Sequence, residues 1–125
     1  MSKQRLAEIE TKIAGKPVFV ISKSYCPFCN KAKQVLRKYN IKPENIEIME
    51  IDNDKDCNEI QVKYRSGVDC PVLRDLLQEF MKKKTGGRSV PRVFVGGKFL
   101  GGGDETEAAD RSGDLEGLLE AAGAV

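Results

Sequence analysis

The sequence predicts an α/β fold: a mixed sheet of four strands with helices on both faces, in one domain over residues 1–125. Three observations carry this. The apolar run Val18-Phe19-Val20-Ile21 enters the turn Cys26-Pro27-Phe28-Cys29 and leaves it as a helical pattern. A second run, Ile46–Ile51, follows that helix, and strand–helix–strand makes a unit whose crossover is right-handed. Val93-Phe94-Val95 and Lys98-Phe99-Leu100 flank Gly96-Gly97, the signal of an antiparallel hairpin with a two-residue turn.

Each element has its own local reason. Leu6, Ile9 and Ile13 stand at i, i+3 and i+7, so residues 3–14 read as a helix with a narrow apolar stripe, stopped by Gly15 and Pro17. Residues 18–22 are apolar without alternation, as in a strand covered on both faces. Ala32, Val35, Leu36 and Tyr39 set a helix from about Pro27 to Tyr39, ended by Asn40 and Pro43. Beyond the strand at 46–51, Asp52-Asn53-Asp54 signals a turn, and a short helix over 56–62 is expected up to Ser66-Gly67. From Cys70-Pro71 a further helix carries Leu73, Leu76, Leu77, Phe80 and Met81, until Gly86-Gly87. After the hairpin and Gly101-Gly102-Gly103, Asp104 with Glu107 reads as a capping box. The last segment, Asp114 to Ala122, is expected to bury Leu115, Leu118 and Leu119.

Composition excludes more than it selects. Of the 125 residues, 40% are hydrophobic and 32% charged, an ordinary soluble balance. The formal net charge of +2 points to neither nucleic acid nor a membrane surface. Acidic residues gather over 44–59 and basic ones over 82–92; both read as solvated faces. Met1–Gly15 lacks the apolar core of a secretory signal, and no run approaches the ~18 apolar residues of a membrane span. A cytoplasmic protein is expected, in a compartment where thiols stay reduced.

The chemistry lies in the Cys-x-x-Cys turn. Pro27 suits a first helical position, which puts Cys26 at the N-cap, facing the unpaired N–H groups of the first turn. With Lys23 before it and Lys31 and Lys33 after it, the Cys26 thiol is expected to ionise below free cysteine. Cys29 shares a helix face with Ala32 and Leu36, so it points inward and suits intramolecular attack on a mixed disulfide. A zinc site is the alternative, but the chain has no His, and Cys57 and Cys70 do not form a second Cys-x-x-Cys pair. No metal is expected.

Cys-Pro-Phe-Cys after a strand, Ser89-Val90-Pro91 before a later strand, and Gly101-Gly102-Gly103-Asp104-Glu105 after a glycine hairpin together resemble a dithiol glutaredoxin. The resemblance covers nearly the whole chain outside about residues 57–73. It implies the thioredoxin-like three-layer fold and glutathione as co-substrate. Position by position, it implies that Lys23, Gln78 and Arg88 meet the glycine carboxylate of glutathione. The Val90 backbone would pair with the cysteinyl part, and Pro91 would follow a cis peptide bond. Gly103, Asp104 and Glu105 would hold the γ-glutamyl end. Cationic groups at one end, with N–H donors and carboxylates at the other, suit a ligand with two carboxylates and one ammonium.

Departures from the family pattern are local. Phe28 keeps the ring of the usual tyrosine without its hydroxyl, Ser89 replaces threonine, and Glu105 replaces the shorter aspartate. An insertion at about 57–73 brings Cys57 and Cys70, expected as free thiols, with a disulfide between them the open alternative. It also makes Gln61 a rival to Gln78, although counting back from Ser89 favours Gln78. The resemblance implies reduction of protein–glutathione mixed disulfides through Cys26, and of protein disulfides through Cys26 and Cys29. Glutathionylated or disulfide-containing proteins would be the partners of a monomer. The alternative is a carrier of a glutathione-ligated [2Fe–2S] cluster, against which Pro27 speaks.

Overall fold

The computed structural model describes residues 2–24, 26–50, 79–87 and 90–125, with side chains from residue 7 onward. The apolar runs form four strands: β1 Val18–Ser22, β2 Ile46–Glu50, β3 Arg92–Val95 and β4 Lys98–Gly101. They lie in one sheet in the order β2-β1-β3-β4. β1 runs parallel to β2 and antiparallel to β3, and β3 and β4 make the antiparallel hairpin. The sheet is mixed, as expected. Gly96 and Gly97 turn the hairpin with φ of 61° and 81°, a left-handed pair that side chains disfavour.

All five residues of β1 are buried, and their alternation splits them between two cores. Phe19 and Ile21 pack with Ile9 and Ile13 of α1 (Ser2–Gly15) and with Met81 of the helical residues 79–85, here α3. Val18 and Val20 pack with Ala32, Val35 and Leu36 of α2 (Pro27–Arg37). The same core takes Leu115 and Leu119 of α5 (Asp114–Ala121). Each such side chain contributes roughly 1.5–3 kcal/mol when fully buried. The unbroken apolar run is thus a consequence of helices on both faces. Among the described residues, no helix is long and apolar enough to cross a membrane.

Beyond the hairpin stand two helices, α4 (Gly103–Ser112) and α5, because Gly113 turns the chain at φ 86° and closes α4 with an N–H to Asp110. Three expectations need correction. Leu118 is 42% exposed, since the short α5 presents only Leu115 and Leu119, four apart, to the core. Asp104 is not the cap of α4. The helix starts two residues earlier, with Gly102 at the N-cap and no side-chain cap, and Lys31 draws both Asp104 (2.9 Å) and Glu107 (3.5 Å). α2 ends at Arg37 rather than Tyr39. Tyr39 Oη instead donates to Asp110 at 2.5 Å, beside Lys38 Nζ at 2.9 Å. That bond to the carboxylate pushes the Tyr39 phenol up to about 12. Gln61, Cys57, Cys70, the 57–73 insertion, Ile51 and the helices expected over 56–62 and 70–78 lie outside the described residues.

Candidate active site

Cys26 stands where β1 has given way to α2. Its backbone is extended (φ −86°, ψ 122°), making it the N-cap, and Pro27 occupies the first turn. The cap is held from both sides: Cys26 N–H donates to Lys23 O at 3.2 Å, and Asn30 N–H to Cys26 O at 3.0 Å. Cys29, one turn on, is fully buried, and the Lys23 N–H donates to its sulfur at 3.4 Å. Both cysteines are free thiols.

The two sulfurs are driven apart electrostatically. For Cys26 the largest influence is burial, which opposes ionisation. It is outweighed by the Cys29 N–H, the Cys29 thiol, the Phe28 N–H and the Lys23 charge, so its pKa falls below the ordinary 9.0. Lys31 and Lys33 do not serve Cys26 as expected. Lys31 is engaged by Asp104 and Glu107, and Lys33 by Glu50 at 2.5 Å. For Cys29, burial pushes the thiol up to about 11, reinforced by the Cys26 sulfur. One thiol is therefore prepared to attack and its neighbour kept protonated. Alkylation of Cys26 by iodoacetamide should rise with pH and level off below pH 9.0, because the reactive thiolate is already formed there. A plateau at or above that value would contradict the geometry.

Beside Cys26 runs a groove of about 350 Å³. Its walls are Phe28, Val90, Pro91, Gly103, Asp104 and Glu105, six of the residues singled out in the sequence. The Cys26 thiol reaches the Val90 carbonyl at 4.0 Å, and the Val90–Pro91 peptide is cis. Phe28 is 54% exposed, an apolar rim beside the reacting sulfur. The first turn of α4 faces this groove, and such a turn presents N–H groups with no partner inside the helix. Lys23 adjoins Cys26 rather than the groove wall. Gln78 and Arg88 lie outside the described residues.

Arg92 and Gly102 also line the groove and were not singled out. Arg92 lies with its guanidinium 5.2 Å from the Phe99 ring centre. In the sequence it is one more member of the basic run; only its place directly after Pro91 could have marked it.

In sequence and in fold the chain is similar to known proteins. The glutaredoxin family model matches residues 18–100. A glutaredoxin of Solanum lycopersicum is 38% identical over 120 residues, covering 96% of this chain and 93% of that protein. The crystal structure of oxidised glutaredoxin 2 from Chlamydomonas reinhardtii superposes with a TM-score of 0.73 at 41% identity, covering 99% of this chain and 98% of that one. The buckwheat glutaredoxin–glutathione complex superposes with a TM-score of 0.73 at 27% identity, over 99% and 94% of the two chains. With the family match spanning the cysteine turn and the hairpin, and the likeness extending over almost the full length, the chain belongs to the glutaredoxin family of thiol–disulfide oxidoreductases.

Proposed function

We propose that this protein uses glutathione to reduce protein–glutathione mixed disulfides and protein disulfides, with Cys26 as the attacking thiol. The observation that carries this is the position of the Cys26 sulfur at the Val90 end of the groove, 4.0 Å from the Val90 carbonyl. A tripeptide laid along the groove can pair with the Val90 backbone in strand fashion and bring its own sulfur to Cys26. At one end the first-turn N–H groups of α4 suit the γ-glutamyl carboxylate, with Asp104 and Glu105 for its ammonium. At the other, Lys23 suits the glycine carboxylate, with Gln78 and Arg88 assigned to the same end. That a buckwheat glutaredoxin has been solved with glutathione supports the assignment.

In the mixed-disulfide reaction the Cys26 thiolate attacks the glutathione sulfur, the old S–S bond breaks, and the protein thiol leaves. A second glutathione then attacks the Cys26–glutathione disulfide, restoring Cys26 and releasing oxidised glutathione. On a protein disulfide, Cys29 attacks Cys26 instead and closes the Cys26–Cys29 bridge. The proposal extends to a cytoplasmic monomer acting on glutathionylated or disulfide-containing proteins; its support is the ordinary soluble composition and small net charge.

A coupled assay with a glutathione mixed disulfide tests it. Turnover should saturate in glutathione, and Lys23→Ala should raise the KM for glutathione by roughly 3–10-fold and lower kcat as well, because the Lys23 charge also favours the Cys26 thiolate. A rate that does not depend on glutathione would overturn the reading.

A further inference from the structure

A buried polar chain leads from Cys29 to the surface, and the Cys26 chemistry does not use it. Ser22 and Glu50 are register partners in the parallel pair of β1 and β2. Ser22 Oγ donates to Glu50 Oε2 at 2.6 Å, and Lys33 Nζ to Glu50 Oε1 at 2.5 Å. The Ser22 hydroxyl also interacts with the Cys29 sulfur. Ser22 and Cys29 are fully buried and Lys33 nearly so, whereas the Glu50 side chain is 23% exposed. Beyond the sulfur of Cys26, the charged groups set around this chain among the described residues are Lys23 after β1, Lys33 on α2 and Glu50 on β2.

Replacing a buried ammonium–carboxylate pair by apolar side chains is often neutral or stabilising, so stability alone does not account for this pair. A hydroxyl carries one proton and two lone pairs. With its proton on Glu50, Ser22 Oγ keeps lone pairs free to take the Cys29 proton, and once it has done so it faces the sulfur as a donor, the arrangement in which the Ser22 hydroxyl favours the thiolate. Cys29 must lose that proton before it can attack, and water does not reach it.

We propose that Ser22 and Glu50 remove the proton of Cys29 as it closes the Cys26–Cys29 bridge, Ser22 taking it and Glu50 acting through Ser22. This rests on the reading of Cys26 as the attacking thiol. Cys29 S–H passes its proton to Ser22 Oγ, and Ser22 passes its own to Glu50 Oε2. The Cys29 sulfur attacks the Cys26 sulfur; the Cys26–Cys29 bond forms and the bond from Cys26 to the partner sulfur breaks. The partner leaves as a thiolate and takes a proton from water, while Glu50 returns its proton to water through its exposed edge. One disulfide is lost and one gained, so no outside oxidant is needed. The newly protonated Ser22 then faces the sulfur as a donor, and Lys33 holds Glu50 in place as a positioning residue. Without this route, a thiol raised to about 11 is ionised in only about one molecule in 10⁴ at neutral pH.

The test is stopped-flow mixing of the reduced protein with a substoichiometric aromatic disulfide that releases a coloured thiolate. Attack by Cys26 releases the first thiolate, and closure by Cys29 releases the second; Cys29→Ser identifies the second phase by removing it. In the wild type the closure rate should stay nearly flat between about pH 6 and pH 8, because the relay takes the proton without waiting for the thiol to ionise into solvent. In Ser22→Ala and Glu50→Gln it should fall at least ~10-fold at neutral pH and climb about tenfold per pH unit, as for unassisted thiol ionisation. Variants that keep the flat profile, or that slow equally at every pH, would overturn the proposal. Should Glu50→Gln fail to fold for want of a counter-charge on Lys33, Ser22→Ala decides alone. A first phase that survives Cys26→Ser would instead refute the underlying reading.

Discussion

Cys26→Ser is expected to abolish reduction of both mixed disulfides and protein disulfides, by at least ~10³-fold in the coupled assay, since a serine hydroxyl is a far weaker nucleophile at neutral pH. The position makes the loss complete. The N-cap of α2, the Phe28 and Cys29 N–H groups and the Lys23 charge all converge on this sulfur, and the neighbouring thiol cannot replace it. Cys29 is fully buried and its thiol is raised to about 11, so in the reduced protein it neither meets an outside substrate nor stands ready as a thiolate. Cys29→Ser should therefore have a different outcome. It should lose the protein-disulfide route, which needs an internal attacker, and keep the mixed-disulfide route, which needs one cysteine and glutathione. Comparable loss on both routes in Cys29→Ser would show that the buried thiol does more than resolve.

Gly103→Ala should damage both the fold and the activity. A Cβ at residue 103 would stand 2.7 Å from the Phe28 carbonyl oxygen and 3.3 Å from its carbonyl carbon. The obstacle is backbone, not a side chain that can rotate away. α4 must then withdraw from the start of α2, and overpacking of this kind typically costs about 1–3 kcal/mol. Phe28 lies between the two cysteines, so the displacement also spreads the groove wall and shifts the N–H groups that stabilise the Cys26 thiolate. Denaturant unfolding should show a lowered midpoint, and the KM for glutathione should rise. Wild-type stability together with wild-type kinetics would mean that the contact between α4 and α2 is looser than the geometry states.

The placement of the two cysteines was legible because it is local. A strand run, Pro27 after Cys26 and the three-residue spacing to Cys29 are enough to place one sulfur at a helix start and the other inward. The sheet was legible for a similar reason: apolar runs and Gly96-Gly97 report on their own backbone. What failed depended on competition between groups far apart in the chain. Asp104 and Glu107 have the spacing of a capping box, yet Lys31, over 70 residues earlier, draws both carboxylates away from it. Lys33 looked like a second cation for Cys26, yet its ammonium meets Glu50. Glu50 itself read as one more member of a solvated acidic face.

The sequence by itself placed the Cys26–Cys29 pair at a helix start and set the four strands, because each follows from short-range pattern; six of the residues that wall the groove were implied only by the resemblance to the family. Tertiary structure alone decided which charges meet. It set Ser22 and Glu50 side by side through the register of two parallel strands, brought Arg92 into the groove, and assigned Lys31 and Lys33 to carboxylates on other elements. Charge pairing depends on distance in space and on burial, and neither is written in spacing along the chain.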